Sequence, residues 1–431
     1  MPTLKAMLKR FLTIASGALV GTALAYTAAN YAAAWGLWPN RELDRSSSYV
    51  KQVMELVADN YVDGSKAGYD QLTKSALHGL LESLDPHSEF LEARDFRELE
   101  EDMNAEFGGI GVQVEMREGR VVVISPIAGT PGDRAGIQRG DAIVAVDGKR
   151  LDKAAMNDVV DHLRGKPRSK VTVQFYRPST KREFEVTLVR EIIKVESVRD
   201  VRLLPDGIGY LQLTQFSERT GDEFEAALAK LKSQGMTALV LDLRNNPGGL
   251  LDAAVAVAEP FFNRGELIVY TQGRNPKDRE EFLAESRRPA LAVPIVVLIN
   301  SGTASAAEIV AGALRDTRKA VIVGERSFGK GSVQSIFQLK NGEGLRLTTA
   351  RYYTPSGVTI HEKGIEPQVD VVMTPEEDSQ LRLQRARSDV TDAKEFTERF
   401  GFTPIPDRQL DAAVEVAHGL QAWTRRAVAT R

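Results

Sequence analysis

The sequence predicts a mixed α/β fold, in which a core of parallel βαβ units is joined to a compact β-rich module and to helical segments. Within residues 238–325, three short apolar runs, "ALVLDLR", "LAVPIVVLIN" and "AVIVGE", alternate with helical segments. Apolar strands that alternate with helices are typical of a parallel sheet covered on both faces. Residues 107–195 instead alternate apolar and polar residues between Gly, Pro and Asp-Gly turns, which indicates short strands.

The composition fits a globular protein of two or three domains. The 431 residues are 42% hydrophobic and 27% charged, with a net charge of −3 at pH 7. Because there is no basic excess and no long Lys/Arg run, the sequence does not indicate a nucleic-acid binder. Cysteine is absent from the sequence, which rules out disulfides, thiolate metal sites and cysteine nucleophiles.

The first forty residues predict export from the cytoplasm. Lys5, Lys9 and Arg10 precede an uncharged run from residue 11 to residue 40, which contains the A-x-A sequence at residues 23–25. A basic region, an apolar segment and an A-x-A site describe a signal peptide, and a retained membrane anchor is the close alternative. We therefore expect a bacterial protein of the periplasm or of the extracytoplasmic face of the membrane.

Changes in the sequence pattern divide the rest of the chain into four segments. Residues 41–105 carry helical periodicity and predict an N-terminal helical cap. Residues 106–195 form the β-rich module, and residues 196–375 form the α/β core. Residues 376–431 are polar and end in an amphipathic stretch, which predicts a C-terminal helical segment.

Three loops of the α/β core are expected to meet at one edge of its sheet. The strands of a parallel sheet with right-handed crossovers all end at the same edge, where ligands bind. The three apolar strands are followed by residues 245–249 ("NNPGG"), by residues 301–305 and by the loop that contains Lys330. The sequence therefore predicts that a serine and a lysine meet in one crevice.

Ser305 stands at the predicted start of a helix, and two interpretations of it remain open. The sequence "SAAE" matches the S-x-x-E capping box, so Ser305 could be a structural helix cap. At the same position, the helix dipole and free N–H groups such as that of Ala306 would stabilise the charge that a nucleophile develops. Ser301, one turn earlier, is interpreted as a turn residue.

A serine nucleophile needs a base, and the histidines do not supply an obvious one. Of the five histidines, only His361 lies near the motifs of the core. A lysine can serve as a base when burial keeps its amine neutral. Lys330 is flanked by glycines, and Gln334, four residues later, could hydrogen-bond its amine.

The glycines of "RNNPGG" predict another element of the same crevice. Gly248 or Gly249 could present an unobstructed N–H group to an oxyanion. A plain strand-to-helix turn is the alternative interpretation of this loop, because Asn, Pro and Gly are common turn residues.

Two further motifs match known signatures only in part. "GERSFGKGS" nearly matches the phosphate-binding loop G-x-x-x-x-G-K-[ST], but Gly331 replaces the hydroxyl residue that would bind magnesium, and a strand pattern follows instead of a helix. Ser48 and Lys51 fit the S-x-x-K pattern of penicillin-binding enzymes, but no suitable K-T-G accompanies them.

Several motifs, in the same order, resemble those of the carboxy-terminal processing peptidases, the S41-type or tail-specific protease family. They cover roughly residues 45–375 and are "LDPHSEFL", "GYLQLTQF", "LDLRNNPGGLL", "SGTASAAEIVAGALRD", "FGKGSVQ", "ARYYTPSG" and "GIEPQVDV". The resemblance implies a crotonase-like βαβ peptidase core with an inserted PDZ domain, and no metal or cofactor. It also implies that Ser305 is the nucleophile, that Lys330 is the general base and that Gln334 supports the lysine.

The β-rich module is similar to the PDZ domain of that family. "FGGIGVQVEM" would be its carboxylate-binding loop, followed by the strand on which a peptide docks. Gly109, Ile110, Gly111 and Val112 are therefore expected to bind the C-terminus of a substrate. The resemblance implies polypeptide substrates with free, apolar C-termini, homo-oligomers and a regulatory partner in the cell envelope.

Two residues depart from the family pattern, and two other functions remain as alternatives. Pro247 stands where many members have glycine, and Val358 stands where a basic residue is common, but neither change removes a catalytic group. One alternative is an envelope scaffold in which the Ser–Lys pair never assembles. The other is a nucleotide hydrolase that uses residues 324–330. The sequence favours a serine endopeptidase that processes or degrades exported proteins.

Overall fold

The computed structural model divides into two compact units, Met1–Leu84 and Asp85–Arg431. The residues that it describes are 22, 26, 27, 40–117, 119–151, 155–387 and 389–429. The signal peptide or membrane anchor predicted at residues 1–40 lies outside the described residues, apart from Thr22, Tyr26, Thr27 and Asn40.

The first unit is helical. It contains α1 (Arg41–Asn60) and α2 (Tyr69–Glu82), with a 3₁₀ turn at Gly64–Lys66 between them. Asn40 caps α1, because its side-chain oxygen accepts the Leu43 N–H at 3.2 Å. In the described part of the chain, no helix combines the length and the apolar character that a membrane crossing requires.

The second unit mixes strands and helices, so the predicted α/β class is confirmed. Its strands are β1 (Glu89–Leu91), β2 (Glu106–Gly109), β3 (Val112–Arg117), β4 (Arg120–Pro126), β5 (Ala142–Val146), β6 (Lys149–Arg150), β7 (Lys170–Arg177), β8 (Arg182–Val189), β9 (Glu191–Lys194), β10 (Val198–Leu203), β11 (Ile208–Leu213), β12 (Ala238–Asp242), β13 (Leu267–Gly273), β14 (Arg279–Leu283), β15 (Ile295–Ile299), β16 (Val321–Gly324), β17 (Ser332–Gln338), β18 (Gly344–Tyr353) and β19 (Val369–Asp370). Its helices are α3 (Ala93–Asn104), α4 (Pro131–Arg134), α5 (Met156–Leu163), α6 (Thr220–Ser233), α7 (Leu251–Ala258), α8 (Ala306–Asp316), α9 (Pro375–Ala386), α10 (Ala393–Phe400) and α11 (Arg408–Ala429).

A six-stranded sheet of order β10-β11-β12-β15-β16-β19 forms the core of this unit. From β11 onward neighbouring strands are parallel, and β10 is an antiparallel edge strand. Leu239 and Leu241 of β12 pack in one apolar cluster with α6, α7 and α8, whereas Ala238 and Val240 pack in another with α11. Because helices cover both faces, these strands consist almost wholly of apolar residues.

A second, antiparallel sheet has the order β1-β18-β13-β14, and β17 also pairs with β18. The strand pattern noted after the lysine loop corresponds to β17. Residues 89–91, by contrast, are assigned by the sequence to the helical cap, whereas they form β1 and pair with Gly344, Leu345 and Arg346. A strand of three residues is too short to show an alternating pattern. Beyond the end of β18, Thr359 makes an isolated antiparallel bridge with Tyr353.

The β-rich module is a separate sheet of order β3-β4-β5-β7-β8, with β6 paired to β5. Its core includes Val123, Val146, Val173 and Phe175, against which Val159 of α5 packs. The short ladder between β2 and β9 lies where the chain enters and leaves the module. Among the described residues β3 pairs only with β4, so β3 is an edge strand.

The C-terminal segment is attached to both the parallel sheet and the β-rich module through ion pairs. Arg244, which follows β12 and is 2% exposed, lies 2.7 Å from Asp242 and 2.7 Å from Asp407. Arg387, which follows α9, lies 2.6 Å from Glu115 on β3. The helical segment predicted at the C-terminus therefore contacts both parts of the second unit.

Candidate active site

The carboxyl ends of β12, β15 and β16 open into one cleft of about 790 Å³. Its lining includes Gly249 after β12, Ser305 after β15 and Lys330 after β16, together with Gln334 of β17. The convergence predicted from the parallel sheet is confirmed, because residues from three loops far apart in the sequence line the same cleft.

Ser305 lies in a strained turn between β15 and α8. Its φ is 54° and its ψ is −119°, a combination that L-residues with a side chain rarely adopt. Such a conformation costs about 1–3 kcal/mol and is found mainly at functional sites. A tight strand-to-helix turn of this kind is how hydrolases with a nucleophile elbow present their serine. The sequence gives no sign of this strain, since glycine is the residue expected at positive φ.

The carboxylate of Glu308 connects the backbone of Ser305 to that of Lys330. Its Oε2 accepts the Ser305 N–H at 2.8 Å and the Lys330 N–H at 2.9 Å. Its Oε1 accepts the Ser327 hydroxyl at 2.5 Å and the Gly329 N–H at 2.7 Å. Burial raises the pKa of Glu308, against four hydrogen bonds that lower it. The carboxylate half of the capping box predicted from S-x-x-E is formed, because Glu308 accepts the Ser305 N–H, and the same carboxylate also holds the lysine loop.

Lys330 is half-buried in the wall of the cleft. Burial lowers the pKa of its amine, and the charge of Arg346 lowers it further, whereas the carboxylates of Glu89 and Asp85 act in the opposite direction. The net shift enlarges the neutral fraction of the amine at a given pH. A neutral amine is the form that can accept a proton.

Gln334 is held by hydroxyl groups and has one unused acceptor. Its Nε2 donates to Thr348 Oγ1 at 2.8 Å and to Ser332 Oγ at 3.2 Å. Its Oε1 is buried and has no hydrogen-bond partner within the described residues. The hydrogen bond expected between Gln334 and the Lys330 amine is therefore not formed in this structure.

The candidate oxyanion donors differ in their availability. The Gly248 N–H already donates to Asn246 Oδ1 at 2.9 Å. In the part of the chain that the structure describes, the N–H groups of Gly249 and Ala306 donate to no protein acceptor. Glycine is needed at position 248 for close packing against the start of α8, because a Cβ there would lie 2.7 Å from the Cβ of Ser305 and 2.8 Å from the Ala306 nitrogen.

Tyr352 of β18 is a further residue of the cleft, and no sequence motif by itself indicates a role for it. It lines the cleft beside Ser305. Burial raises the pKa of Tyr352 to about 12, against a side-chain hydrogen bond with Ser305 that lowers it. The phenol is therefore protonated at neutral pH and is not a base. The motif "ARYYTPSG", which contains Tyr352, is the sequence signal that could have drawn attention to it.

The position of His87 differs from the sequence interpretation. The sequence places His87 outside the α/β sheet region, with only His361 near the motifs of the core. The strand that follows His87, β1, pairs with β18 in the second unit. Burial lowers the pKa of His87, and the charge of Lys330 lowers it further, so the two side chains are electrostatic neighbours. The sequence interpretation is wrong here because β1 escapes detection.

The loop between β2 and β3 leaves two backbone donors unused. Gly109 ends β2 and Val112 begins β3, with Ile110 and Gly111 between them. The carbonyl groups of Ile110 and Gly111 accept N–H groups from the start of α4 and the turn before it, at 2.8 Å and 2.9 Å. The N–H groups of the same two residues donate to no acceptor among the described residues. Free adjacent N–H groups of this kind are suited to bind an anion.

Comparison with known proteins decides the family. The family model "Peptidase family S41" matches residues 207–371, and the model "PDZ domain" matches residues 108–188. A carboxy-terminal-processing protease of Bartonella bacilliformis is 44% identical over 305 residues, which are 70% of this chain and 70% of that protein. The carboxy-terminal processing protease CtpA of Bacillus subtilis is 34% identical over 367 residues, 85% of this chain and 78% of that one. This chain belongs to the carboxy-terminal processing proteases of peptidase family S41.

The peptidase is thus a serine-type enzyme that carries a PDZ domain, a module that binds peptide C-termini. It is also similar to a solved photosystem II D1 C-terminal processing protease, at 32% identity over 75% of this chain and 92% of that one, with a TM-score of 0.44. Among the residues described, no group of three or more His, Asp or Glu side chains is arranged to hold a metal ion.

Proposed function

We propose that this peptidase is an endopeptidase with a Ser305–Lys330 dyad, which recognises the C-terminus of its substrates through the PDZ domain and processes or degrades exported proteins. The observation that carries the proposal is the carboxylate of Glu308, which holds the backbones of Ser305 and Lys330 in the wall of one cleft. A helix cap alone would not require the second of these hydrogen bonds.

In the proposed reaction, neutral Lys330 accepts the hydroxyl proton of Ser305 as the serine oxygen attacks a peptide carbonyl carbon. The new C–O bond forms while the carbonyl electron pair moves onto its oxygen, which gives a tetrahedral oxyanion. Collapse of this intermediate breaks the C–N bond, and protonated Lys330 gives its proton to the leaving amine. Water then attacks the acyl-enzyme with Lys330 again as base, which releases the acid product and restores the Ser305 hydroxyl.

We assign the oxyanion hole to the N–H groups of Ala306 and Gly249. Within the described residues neither N–H has an acceptor, whereas the N–H of Gly248, the alternative donor, donates to Asn246 Oδ1. Ala306 is also the first residue of α8, where the helix dipole favours negative charge.

Gln334 is assigned a supporting role towards Lys330. An acceptor that is buried without a partner costs about 1–3 kcal/mol, and a hydrogen bond from the Lys330 amine to Gln334 Oε1 would remove this cost. Within the catalytic cycle the bond would be strongest with the protonated amine, which forms when Lys330 takes the proton of Ser305.

The PDZ domain is assigned to substrate recognition. The N–H groups of Ile110 and Gly111, flanked by Gly109 and Val112, would bind the terminal carboxylate, since they have no acceptor in the described part of the chain. The edge strand β3 would accept the peptide as an added antiparallel strand. We also propose that these C-termini are apolar. The active-site cleft would in addition favour apolar residues at the cleavage site, since its wall includes Leu99, Met103, Leu250, Leu251, Val333 and Ile336.

The boundaries, location and assembly of the peptidase are proposals as well. We place the helical cap at residues 41–105, the PDZ domain at 106–195, the peptidase core at 196–375 and the helical C-terminal segment at 376–431. Export directed by residues 1–40 would bring the enzyme to the periplasm or the extracytoplasmic membrane face, where a regulatory partner and further copies of the chain could bind. The basic residues before the apolar N-terminal run support export.

The test uses the full-length peptidase in detergent and an unfolded protein that ends in small apolar residues. We expect Ser305→Ala and Lys330→Ala to abolish cleavage. Where hydrolysis is too slow to measure, covalent labelling of Ser305 by an acylating active-site probe would report its reactivity. Cleavage by both variants at the parent's rate would contradict the dyad. We expect amidation of the substrate C-terminus to lower kcat/KM, and an unchanged value would contradict recognition by the PDZ domain.

A further inference from the structure

Residues 85–91, "DPHSEFL", adjoin the candidate active site, yet the proposed reaction gives them no role. The segment ends in β1, which pairs with β18 and places Glu89 opposite Arg346. Strand β18 also pairs with β17, where Thr348 stands opposite Gln334. Two strand pairings therefore connect this segment to the residues around Lys330.

A continuous chain of hydrogen bonds runs from the segment to Gln334. Asp85 Oδ2 accepts the Ser88 hydroxyl at 2.8 Å, and Ser88 Oγ accepts the Thr348 N–H at 3.1 Å. Thr348 Oγ1 in turn accepts from Gln334 Nε2 at 2.8 Å. Because Ser88 is only 3% exposed, water cannot easily replace its hydroxyl if it is removed.

Asp85 also fixes the conformation of the segment itself. Its Oδ1 accepts the backbone N–H of His87 at 2.8 Å and that of Ser88 at 3.0 Å. This is the local hydrogen bonding by which aspartate side chains order a turn. Asp85 therefore determines where the Ser88 hydroxyl lies.

The segment contributes charge as well as hydrogen bonds. The ionisable groups around the Lys330 amine are Asp85, His87 and Glu89 from the segment and Arg346 from β18, while His361, from the loop after β18, is a charge neighbour of His87. Burial and Arg346 lower the pKa of Lys330, whereas Glu89 and Asp85 raise it. The charge on Asp85 therefore opposes the neutral form of the amine.

We propose that Asp85 and Ser88 are positioning residues of the peptidase: Ser88 orients Gln334 through Thr348, and Asp85 orients Ser88 and places a negative charge near the Lys330 amine. This inference rests on the Ser305–Lys330 dyad of the proposed function. Asp85 and Ser88 lie outside the three loops at the sheet edge, so the set of residues that support the reaction is larger than those loops. They are called positioning residues because neither touches the reacting atoms.

Replacement of Ser88 by Ala tests the geometric part in the full-length peptidase. The change removes the acceptor of the Thr348 N–H and breaks the chain to Gln334. We expect kcat to fall roughly tenfold or more while KM changes little, because Gln334 is no longer held in its orientation towards Lys330, whereas the contacts with the substrate remain. Ser197→Ala is the matched control, since Ser197 is also a buried serine whose hydroxyl is hydrogen-bonded, at 3.0 Å to Ser217.

Replacement of Asp85 by Asn tests the electrostatic part. Asparagine keeps the shape of the side chain and an oxygen for the turn, but it removes the charge that raises the pKa of Lys330. The acid limb of kcat/KM follows deprotonation of Lys330, so we expect its midpoint to move to lower pH by roughly half a unit or more. Asp278→Asn is the control, because Asp278 also accepts a turn N–H, from Asn275 at 2.9 Å, and does not line the cleft.

The outcomes separate this inference from the dyad on which it rests. A merely structural role of Asp85 would lower the melting temperature and leave the acid limb in place. If Ser88→Ala keeps the parent's kcat or Asp85→Asn keeps the parent's acid limb, the positioning role is overturned, while inactive Ser305→Ala and Lys330→Ala variants would still support the dyad. If Ser88→Ala fails to fold, the pH profile of Asp85→Asn decides alone.

Discussion

Glu308 Oε2 accepts the backbone N–H of Lys330 at 2.9 Å, although 22 residues separate the two in the sequence. The same oxygen accepts the Ser305 N–H at 2.8 Å. Because Glu308 is fully buried, these hydrogen bonds fix the start of α8 relative to the lysine loop. The helix cap and the proposed catalytic arrangement are therefore parts of one structure.

Replacement of Glu308 by Gln tests this connection. A carboxamide offers one oxygen where the carboxylate serves four donors, and its NH₂ group would face N–H groups. We expect kcat to fall about 100-fold, because small displacements of catalytic groups are costly. We also expect the free energy of unfolding to fall by about 1–3 kcal/mol. Steady-state kinetics and urea unfolding measure the two effects.

The matched control for this change is Glu325→Gln. Glu325 Oε1 also accepts a backbone N–H, that of Met373 at 2.8 Å, but its other hydrogen bond, at 3.1 Å, is to Gln409 of α11 instead of to Ser305 or Lys330. Equal activity of the two variants would contradict the role assigned to Glu308.

A second prediction concerns Gly248, which packs against Ser305 too closely for a side chain. The Cβ of Gly248→Ala would lie 2.7 Å from the Cβ of Ser305 and would displace it. We expect this variant to lose both hydrolysis and probe labelling.

Gly265→Ala is the matched control. The φ of Gly265 is 85°, close to the 99° of Gly248, but no atom lies within 4 Å of the Cβ that alanine would add there. Gly265→Ala should lose about 1 kcal/mol of stability and stay active. Similar activity of the two variants would show that the close packing of Gly248 against Ser305 is not required for hydrolysis.

The strain at Ser305 leads to a third prediction, about two inactive variants. Ser305→Gly and Ser305→Ala both lack the hydroxyl, but only glycine adopts a φ of 54° without strain. We expect Ser305→Gly to be more stable than Ser305→Ala by about 1 kcal/mol in chemical unfolding. A more stable alanine variant would mean that the turn is not strained in solution.

The fourth prediction follows from the charge of Arg346, which lowers the pKa of Lys330. In Arg346→Gln this pKa rises, so the acid limb of kcat/KM should move to higher pH, roughly half a unit or more. The direction is opposite to that expected for Asp85→Asn. Arg351→Gln, an exposed arginine of the same strand, is the control. A shift to lower pH would argue that Lys330 is not the titrating base.

The parallel core and its cleft could be predicted from the sequence. The apolar strands make β12, β15 and β16 recognisable, and the geometry of a parallel sheet then brings Ser305 and Lys330 to one edge. This inference succeeds because it needs only the order of the elements and the handedness of their connections.

The finer parts of the site could not be predicted, because they depend on contacts between distant segments. The sequence "SAAE" indicates a helix cap but does not reveal that Glu308 also binds the Lys330 N–H. The sequence leaves Gly248 and Gly249 as equal candidates, and only the bond from Gly248 to Asn246 separates them. His87 is missed because the strand that brings it to the core has three residues.

The central claim is that Lys330 activates Ser305, and the most direct test is the rate at which an acylating probe labels Ser305 in the full-length peptidase, followed by mass spectrometry. We expect Lys330→Ala to be labelled roughly 100-fold more slowly than the parent, the typical loss when a general base is removed. Lys363→Ala, an exposed lysine whose backbone adjoins Gly329, should be labelled at the parent's rate. Labelling of Lys330→Ala at the parent's rate would show that another group takes the proton of Ser305.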